Sequence, residues 1–307
     1  MKQYFIIISV FLGISVLAQQ EPLFTQYYIN DMVINPAVSG SKTYNPLIIQ
    51  TRQQWLGFKG APITSNISYH GTLNNRSAIG GYLMFDKAFP SMQANLQLNY
   101  AYHIPLDYDR VNLSFGLGAK VMYHNLDFNK DDIPPGEDPA FSSKSYDKVL
   151  GDALSGVYMY GQHFYAGFSV TNMLQSSFNT SVSGSPYGNT EFRNYYGMGG
   201  YRFNVINNDW ELEPSFLIRK TQFQSSISDL TTRIFYLENT WTGLTYRTNG
   251  TAIFAFGFGA NNMHFCYSYD HTFSGEIMRY TYGTHEVGIV FRIETLSTDR
   301  HIGFWGF

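Results

Sequence analysis

Residues 112–123 read Asn-Leu-Ser-Phe-Gly-Leu-Gly-Ala-Lys-Val-Met-Tyr. Leu113, Phe115, Leu117, Ala119, Val121 and Tyr123 fall on one face of an extended chain. Asn112, Ser114, Gly116, Gly118 and Lys120 fall on the other. Strict alternation of this kind marks a strand with one apolar and one polar side. It recurs along the chain. Leu96, Leu98, Tyr100 and Tyr102 alternate with Asn95, Gln97 and Asn99; Phe254, Phe256 and Phe258 with Ala255, Gly257 and Gly259; Val287, Ile289 and Phe291 with Glu286, Gly288 and Arg292.

The composition agrees. The 307 residues are 17% aromatic but only 14% charged, against about 25% charged in an ordinary soluble domain. Aromatic side chains suit a pleated surface. Yet mean hydropathy is −0.19, too low for a helical membrane protein. An antiparallel transmembrane β-barrel reconciles the two, because its lipid-facing and lumen-facing residues alternate and their hydropathies cancel. The fold class expected is all-β.

Turn residues divide the alternating segments into about fourteen strands, at 46–56, 62–73, 77–87, 91–104, 110–124, 153–160, 163–172, 192–206, 209–222, 232–239, 241–248, 251–260, 263–270 and 283–293. If the first strand starts in the periplasm, the long connections 125–152, 173–191, 223–231 and 271–282 are all extracellular, with short ones at 57–61, 88–90 and 249–250. The periplasmic turns are uniformly short, such as Asn74-Asn75-Arg76, Gly161-Gln162, Asn207-Asn208 and Asn261-Asn262. Outer-membrane barrels sort their loops in this way; a soluble sandwich has no reason to.

The N-terminus reads as a secretion signal. Lys2 precedes an apolar run from Phe5 to Leu17, and Val16-Leu17-Ala18 offers a cleavage site after Ala18. An uncleaved anchor is the other reading, but the run is short of the roughly 20 residues a membrane helix needs. Residues 1–18 carry one lysine and no acid, so the mature chain has 19 basic and 23 acidic residues, a formal −4. No basic patch suggests nucleic acid. The expected organisation is signal peptide 1–18, an N-terminal segment 19–45 as a candidate plug, barrel 46–293 and an aromatic periplasmic tail 294–307. A plug or an open pore is required, since about eight strands are already the most that side chains alone can fill.

Several short patterns together resemble a known family. They are Phe24-Thr25-Gln26-Tyr27-Tyr28, Asn35-Pro36-Ala37 with Gly40, Arg52-Gln53-Gln54-Trp55, Gly60-Ala61-Pro62 and Ala101-Tyr102-His103-Ile104. Tyr165-Ala166-Gly167, Leu212-Glu213-Pro214-Ser215, Tyr267-Ser268-Tyr269-Asp270 and Gly283-Thr284-His285-Glu286 follow in order. The chain resembles the PorP/SprF family of the Bacteroidetes type IX secretion system across its whole mature length. The resemblance implies a non-enzymatic outer-membrane barrel. It would serve secretion or gliding motility, and its partners would be a large secreted adhesin, whose export or surface display it assists, or periplasmic components of the machine. A diffusion channel or solute transporter is the alternative. The segment Thr295 to Phe307 departs from the family pattern, and the resemblance assigns it no role.

The strand register turns Arg52, Lys120, Arg202, Glu211, Glu213, Arg219, Arg247, Glu286 and Arg292 into the lumen. Such charges could bind a partner or pass solute. The plainer reading is cross-bracing, because charges taken out of water unpaired cost several kcal/mol. Asp127, Asn129 and Asp131 have the spacing of an oxygen-ligand calcium loop, but Asp132 stands where its glycine belongs and no glutamate closes it; a solvated acidic loop is the plainer reading. No H-E-x-x-H or G-x-S-x-G motif occurs, so no catalytic residue, metal or cofactor is expected. Cys266, the single cysteine, reads as a buried thiol. Trp55, Trp210 and Trp241 read as an aromatic girdle. Phe304, Trp305 and Phe307 form an aromatic cluster that would either contact a partner or fold back beneath the barrel.

Overall fold

The computed structural model describes residues 24–106, 110–127, 146–178, 189–206, 209–237, 239–273 and 280–294. These form a closed ring of fourteen antiparallel strands. In chain order they are β1 (Asn45–Gln53), β2 (Ile63–Thr72), β3 (Ser77–Ala88), β4 (Ser91–Leu106), β5 (Val111–Leu126), β6 (Tyr146–Gly161) and β7 (Phe164–Thr171). The second half comprises β8 (Asn194–Tyr201, continued by Phe203–Ile206), β9 (Trp210–Thr221), β10 (Ile227–Tyr236), β11 (Thr240–Arg247), β12 (Thr251–Ala260), β13 (Met263–Thr272) and β14 (Thr284–Ile293). Each strand pairs with its sequence neighbours. The ring closes where β1 meets β14, from Asn45 opposite Ile293 to Gln53 opposite His285. Closure gives every strand a neighbour on both sides, which a hydrocarbon surround requires.

Burial alternates along the strands as the residue pattern does. In β11 Trp241, Gly243, Thr245 and Arg247 are buried while Thr242, Leu244 and Tyr246 are exposed. The outward residues include Leu96, Leu98, Leu117, Leu230, Leu244, Phe254 and Val287, all more than a third exposed. An apolar exterior of this extent is what a lipid-facing wall presents. No helix among the described residues is long and apolar enough to cross a membrane.

Two strands begin earlier than their residue pattern suggests. β6 starts at Tyr146 rather than 153, and β10 at Ile227 rather than 232. The added residues include Asp147, Lys148, Asp152, Ser228 and Asp229, which read as loop because they are polar. Asp229 holds strand conformation because Arg219 and Arg247 meet it in the lumen, whereas Asp147 is exposed and bonds Tyr123 and Asn125 of β5. Asp152 lies opposite Lys120, and Leu150 packs on Met122. The connections they shorten therefore span 127–145 and 222–226. A two-residue ribbon, Ser177–Phe178 with Asn189–Thr190, lies within the connection from β7 to β8.

Trp241 corrects a second expectation. It is not part of an outer girdle but is buried in the lumen, 2% exposed. Its position shares parity with Arg247, and parity decides the face. Its room comes from Gly257, opposite it on β12; a Cβ there would overlap the indole ring. Trp210 does face outward and packs on Tyr236 with the rings tilted, centroids 4.7 Å apart. Trp55 sits just past β1 with a left-handed backbone, φ 47°.

Residues 24–44 lie inside the ring. Two short 3-10 turns, Asp31–Val33 and Pro36–Val38, compact them. Every residue from Phe24 to Lys42 except Val33 is buried. Tyr27, Tyr28, Ile29, Met32, Ile34, Ala37 and Val38 form the largest apolar cluster with Tyr158, Tyr165, Met198, Leu217, Phe235 and Trp241 of the wall.

Candidate functional site in the lumen

The inner segment descends from the long-loop end of the lumen to the short-turn end, and side chains of the wall hold its backbone at successive levels. Glu286 on β14 accepts from the backbone N–H groups of Thr25 (2.6 Å) and Gln26 (3.1 Å). Thr25 Oγ1 donates to Asp270 Oδ2 at 2.7 Å. Asn30 bridges two strands, donating to Gln50 Oε1 at 2.9 Å and accepting from Ser68 Oγ at 3.0 Å. Ser169 Oγ donates to the carbonyl of Ile34 at 2.6 Å. Farther along, the N–H of Gly40 donates to His70 Nδ1 at 3.0 Å, and His103 Nε2 contacts the carbonyl oxygen of Ser39 at 2.9 Å. Within the segment Lys42 Nζ bonds Asp31 Oδ2 at 3.1 Å, tying its two halves.

At the centre, Asn35-Pro36-Ala37 presses against the wall. Asn35 accepts from the N–H of Ala37 at 3.0 Å and donates to the carbonyl of Val157 at 3.2 Å. The wall here is bare backbone. Gly116 and Gly156 lie opposite each other on β5 and β6. A Cβ on Gly116 would overlap Ala37, one on Gly156 would overlap Asn35, and one on Gly167 would stand 2.9 Å from Asn35 Nδ2. These glycines serve close approach.

Three ion-pair groups complete the lining. Glu213 binds Arg202 through two bonds (2.7 and 3.0 Å) and also Arg233. Asp229 takes Arg247 in a bidentate pair (2.8 and 2.9 Å) and Arg219 at 3.2 Å. Arg52 lies 2.9 Å from Asp270 and 3.4 Å from Glu286. Glu211 joins Arg202 at 3.5 Å, Lys120 is buried opposite Asp152, and Arg292 sits 4.9 Å from the ring of Tyr44. Of the nine lumen charges singled out above, Arg52, Arg202, Glu213, Arg219, Arg247 and Glu286 thus lie inside and in ion pairs. Their partners Asp229, Arg233 and Asp270 are not among the charges that the sequence reading turns inward. Strand parity could have found them, since Asp229, Thr231, Arg233 and Phe235 share one face of β10.

Asp127 lies exposed at the end of β5, its N–H donating to the carbonyl of Pro90; Asn129 and Asp131 lie outside the described residues. Among the described residues no group of three His, Cys, Asp or Glu is placed to hold a metal. Phe304, Trp305 and Phe307 also lie outside the described residues. Cys266 is buried among the apolar cluster.

A closed antiparallel ring with an apolar exterior and a polar, charged interior defines the class of outer-membrane β-barrels. Solved structures agree in fold. The Ralstonia pickettii toluene transporter TbuX is similar at TM-score 0.51 and 8% identity, over 86% of this chain and 93% of its own. The CymD monoaromatic hydrocarbon channel is similar at TM-score 0.51 and 11% identity, over 89% and 94%. CdiB from Acinetobacter baumannii matches at TM-score 0.44 and 8% identity, over 81% of this chain but only 60% of its own length. No curated protein sequence matches. The sequence itself identifies the family: residues 16–291 match the type IX secretion system membrane protein PorP/SprF. The chain belongs to the PorP/SprF family, whose description is that of a secretion-system membrane protein and not of an enzyme class.

Proposed function

We propose that this barrel is a closed membrane seat for a secreted partner, with residues 24–44 acting as its plug. The long-loop end faces outward and receives the partner, a large adhesin-type protein exported by the type IX system; the short-turn end faces the periplasm and the machine's other components. The observation that carries this reading is the occupied lumen. Five backbone groups of the inner segment, the N–H groups of Thr25, Gln26 and Gly40 and the carbonyls of Ile34 and Ser39, are bound by wall side chains. A solute path would have to run through the pairs Glu213–Arg202, Asp229–Arg247 and Arg52–Asp270, which are engaged with one another and not with the bore.

Two measurements test it. In planar bilayers the intact protein should be silent; a steady, large open state would instead mean a diffusion channel. Extracted from its native membrane, the protein should carry a large secreted protein or periplasmic secretion components; a bare monomer in every preparation would overturn the seat. Sequencing the N-terminus of the same material checks cleavage after Ala18.

A further inference from the structure

On the lipid-facing side of β10 to β13 the wall is not filled evenly. Two rows of outward residues cross these strands. In the row nearer the long-loop end, Leu230, Tyr246, Ala252 and His271 stand side by side; in the next, Thr232, Leu244, Phe254 and Tyr269 do. Six of the eight are medium or large. Ala252 stands between Tyr246 and His271, and Thr232 beside Leu244, as the small members of their rows. The result is a groove of about 480 Å³ lined by these eight residues, with Thr245 and Ile253 contributing its floor.

We propose that this groove is a binding site for one acyl chain of an outer-leaflet lipid, held longer than the lipids around it. The groove is continuous with the apolar exterior, since Leu230, Leu244, Tyr246 and Phe254 that wall it are each 47% to 65% exposed. Its lining is almost wholly hydrocarbon and aromatic ring, which suits a methylene chain. It offers no row of donors and acceptors for an extended peptide, and a polypeptide in lipid must satisfy its own backbone. A transmembrane helix, about 10–12 Å across with its side chains, is too wide for a depression made by two small residues. His271 and the Tyr246 and Tyr269 rings stand toward the end of their strands, where a polar headgroup meets the boundary between lipid and water. The site does not depend on what the lumen does; only the choice of leaflet rests on the orientation proposed above.

The test uses the full-length protein extracted from its own membrane in mild detergent, with intact-complex mass spectrometry to count retained lipid. The expected result is one retained lipid per barrel, reduced about tenfold by Ala252→Trp, a change equivalent to losing the burial of about two methylenes. The control Ala166→Trp, on the lipid face of β7, should leave it unchanged. A wild-type barrel without retained lipid, or equal retention in Ala252→Trp, overturns the proposal. So does a polypeptide that co-purifies with the wild type and is lost with Ala252→Trp. Should Ala252→Trp not fold, the wild type decides alone. Reconstituted with a phospholipid bearing a photoreactive acyl chain, it should be labelled preferentially within residues 244–254 and 269–271; even labelling around the barrel overturns the site. The mass of the retained lipid separates an outer-leaflet glycolipid, the expected species, from an inner-leaflet phospholipid, which overturns the leaflet assignment.

Discussion

The guanidinium carbon of Arg233, on β10, lies 4.1 Å from the ring centroid of Tyr28 on the inner segment. The same guanidinium bonds Glu213 and lies near Phe235 and Trp241. Wall and segment therefore share one cation. A desolvated arginine over an aromatic face contributes about 2 kcal/mol, and the pairing with Glu213 keeps both charges tolerable in the lumen.

Arg233→Ala is expected to destabilise the folded barrel by about 3–5 kcal/mol, because Glu213 is left a buried, under-compensated carboxylate. Arg233→Lys should recover part of this, since it restores the charge but neither the planar fork nor the stacking. The temperature at which the heated protein loses its compact electrophoretic mobility reads the difference. Equal temperatures for wild type and Arg233→Ala would show that the pair does no structural work.

Gly156→Val and Gly116→Val are expected to open the plug without dissolving the wall. The new side chains would occupy the space of Asn35 and Ala37, while the ladder between β5 and β6 needs no glycine. Conductance should appear in bilayers where the wild type is silent. Gly151→Val is the matched control, because a Cβ there meets nothing within 4 Å; a conducting Gly151→Val would disconnect conductance from the plug.

Glu286→Ala removes the acceptor of two backbone N–H groups and a partner of Arg52. Bonds to a charged group contribute about 1.5–3 kcal/mol each, so the upper end of the segment should loosen. Brief channel openings and faster proteolysis near Thr25 are the expected readouts. Glu286→Gln keeps an acceptor and should give a smaller effect of the same sign.

Trp241 and Gly257 form a complementary pair across β11 and β12. Gly257→Ala overpacks the indole, at a cost of about 1–3 kcal/mol; Trp241→Ala leaves a void under Tyr28, costing about 3–5 kcal/mol. The combination Trp241→Phe with Gly257→Ala should be less destabilising than the sum of its single changes, because the smaller ring vacates the space the new methyl needs. Strict additivity in thermal unfolding would contradict the contact.

Much of the barrel was legible along the chain. The alternation at 112–123 assigned a face to each residue of β5, and the loop lengths ordered the connections. The failures share a cause. Asp152 and Asp229 fall in predicted loops, whereas in the barrel Asp152 accepts from the N–H groups of Leu174 and Ser176 and Asp229 meets Arg219 and Arg247 in the lumen. Residue type alone places Trp241 in the girdle, although its parity with Arg247 points inward. In both cases the local period carried the information and the residue chemistry misled.

What the sequence determined by itself is the strand period, the face each side chain takes and the family, because each of these rests on near neighbours or on motifs in order. What only the tertiary structure decided is which inward residues meet. Thr25 reaches Asp270 across 245 positions, and Arg52 reaches Glu286 across 234. Those meetings depend on the closure of β1 on β14, which sets Arg52 opposite Glu286, and no local pattern encodes a pairing between the two ends of the chain. The inner segment's position follows from the same closure, since a bore of fourteen strands is too wide for wall side chains alone to fill.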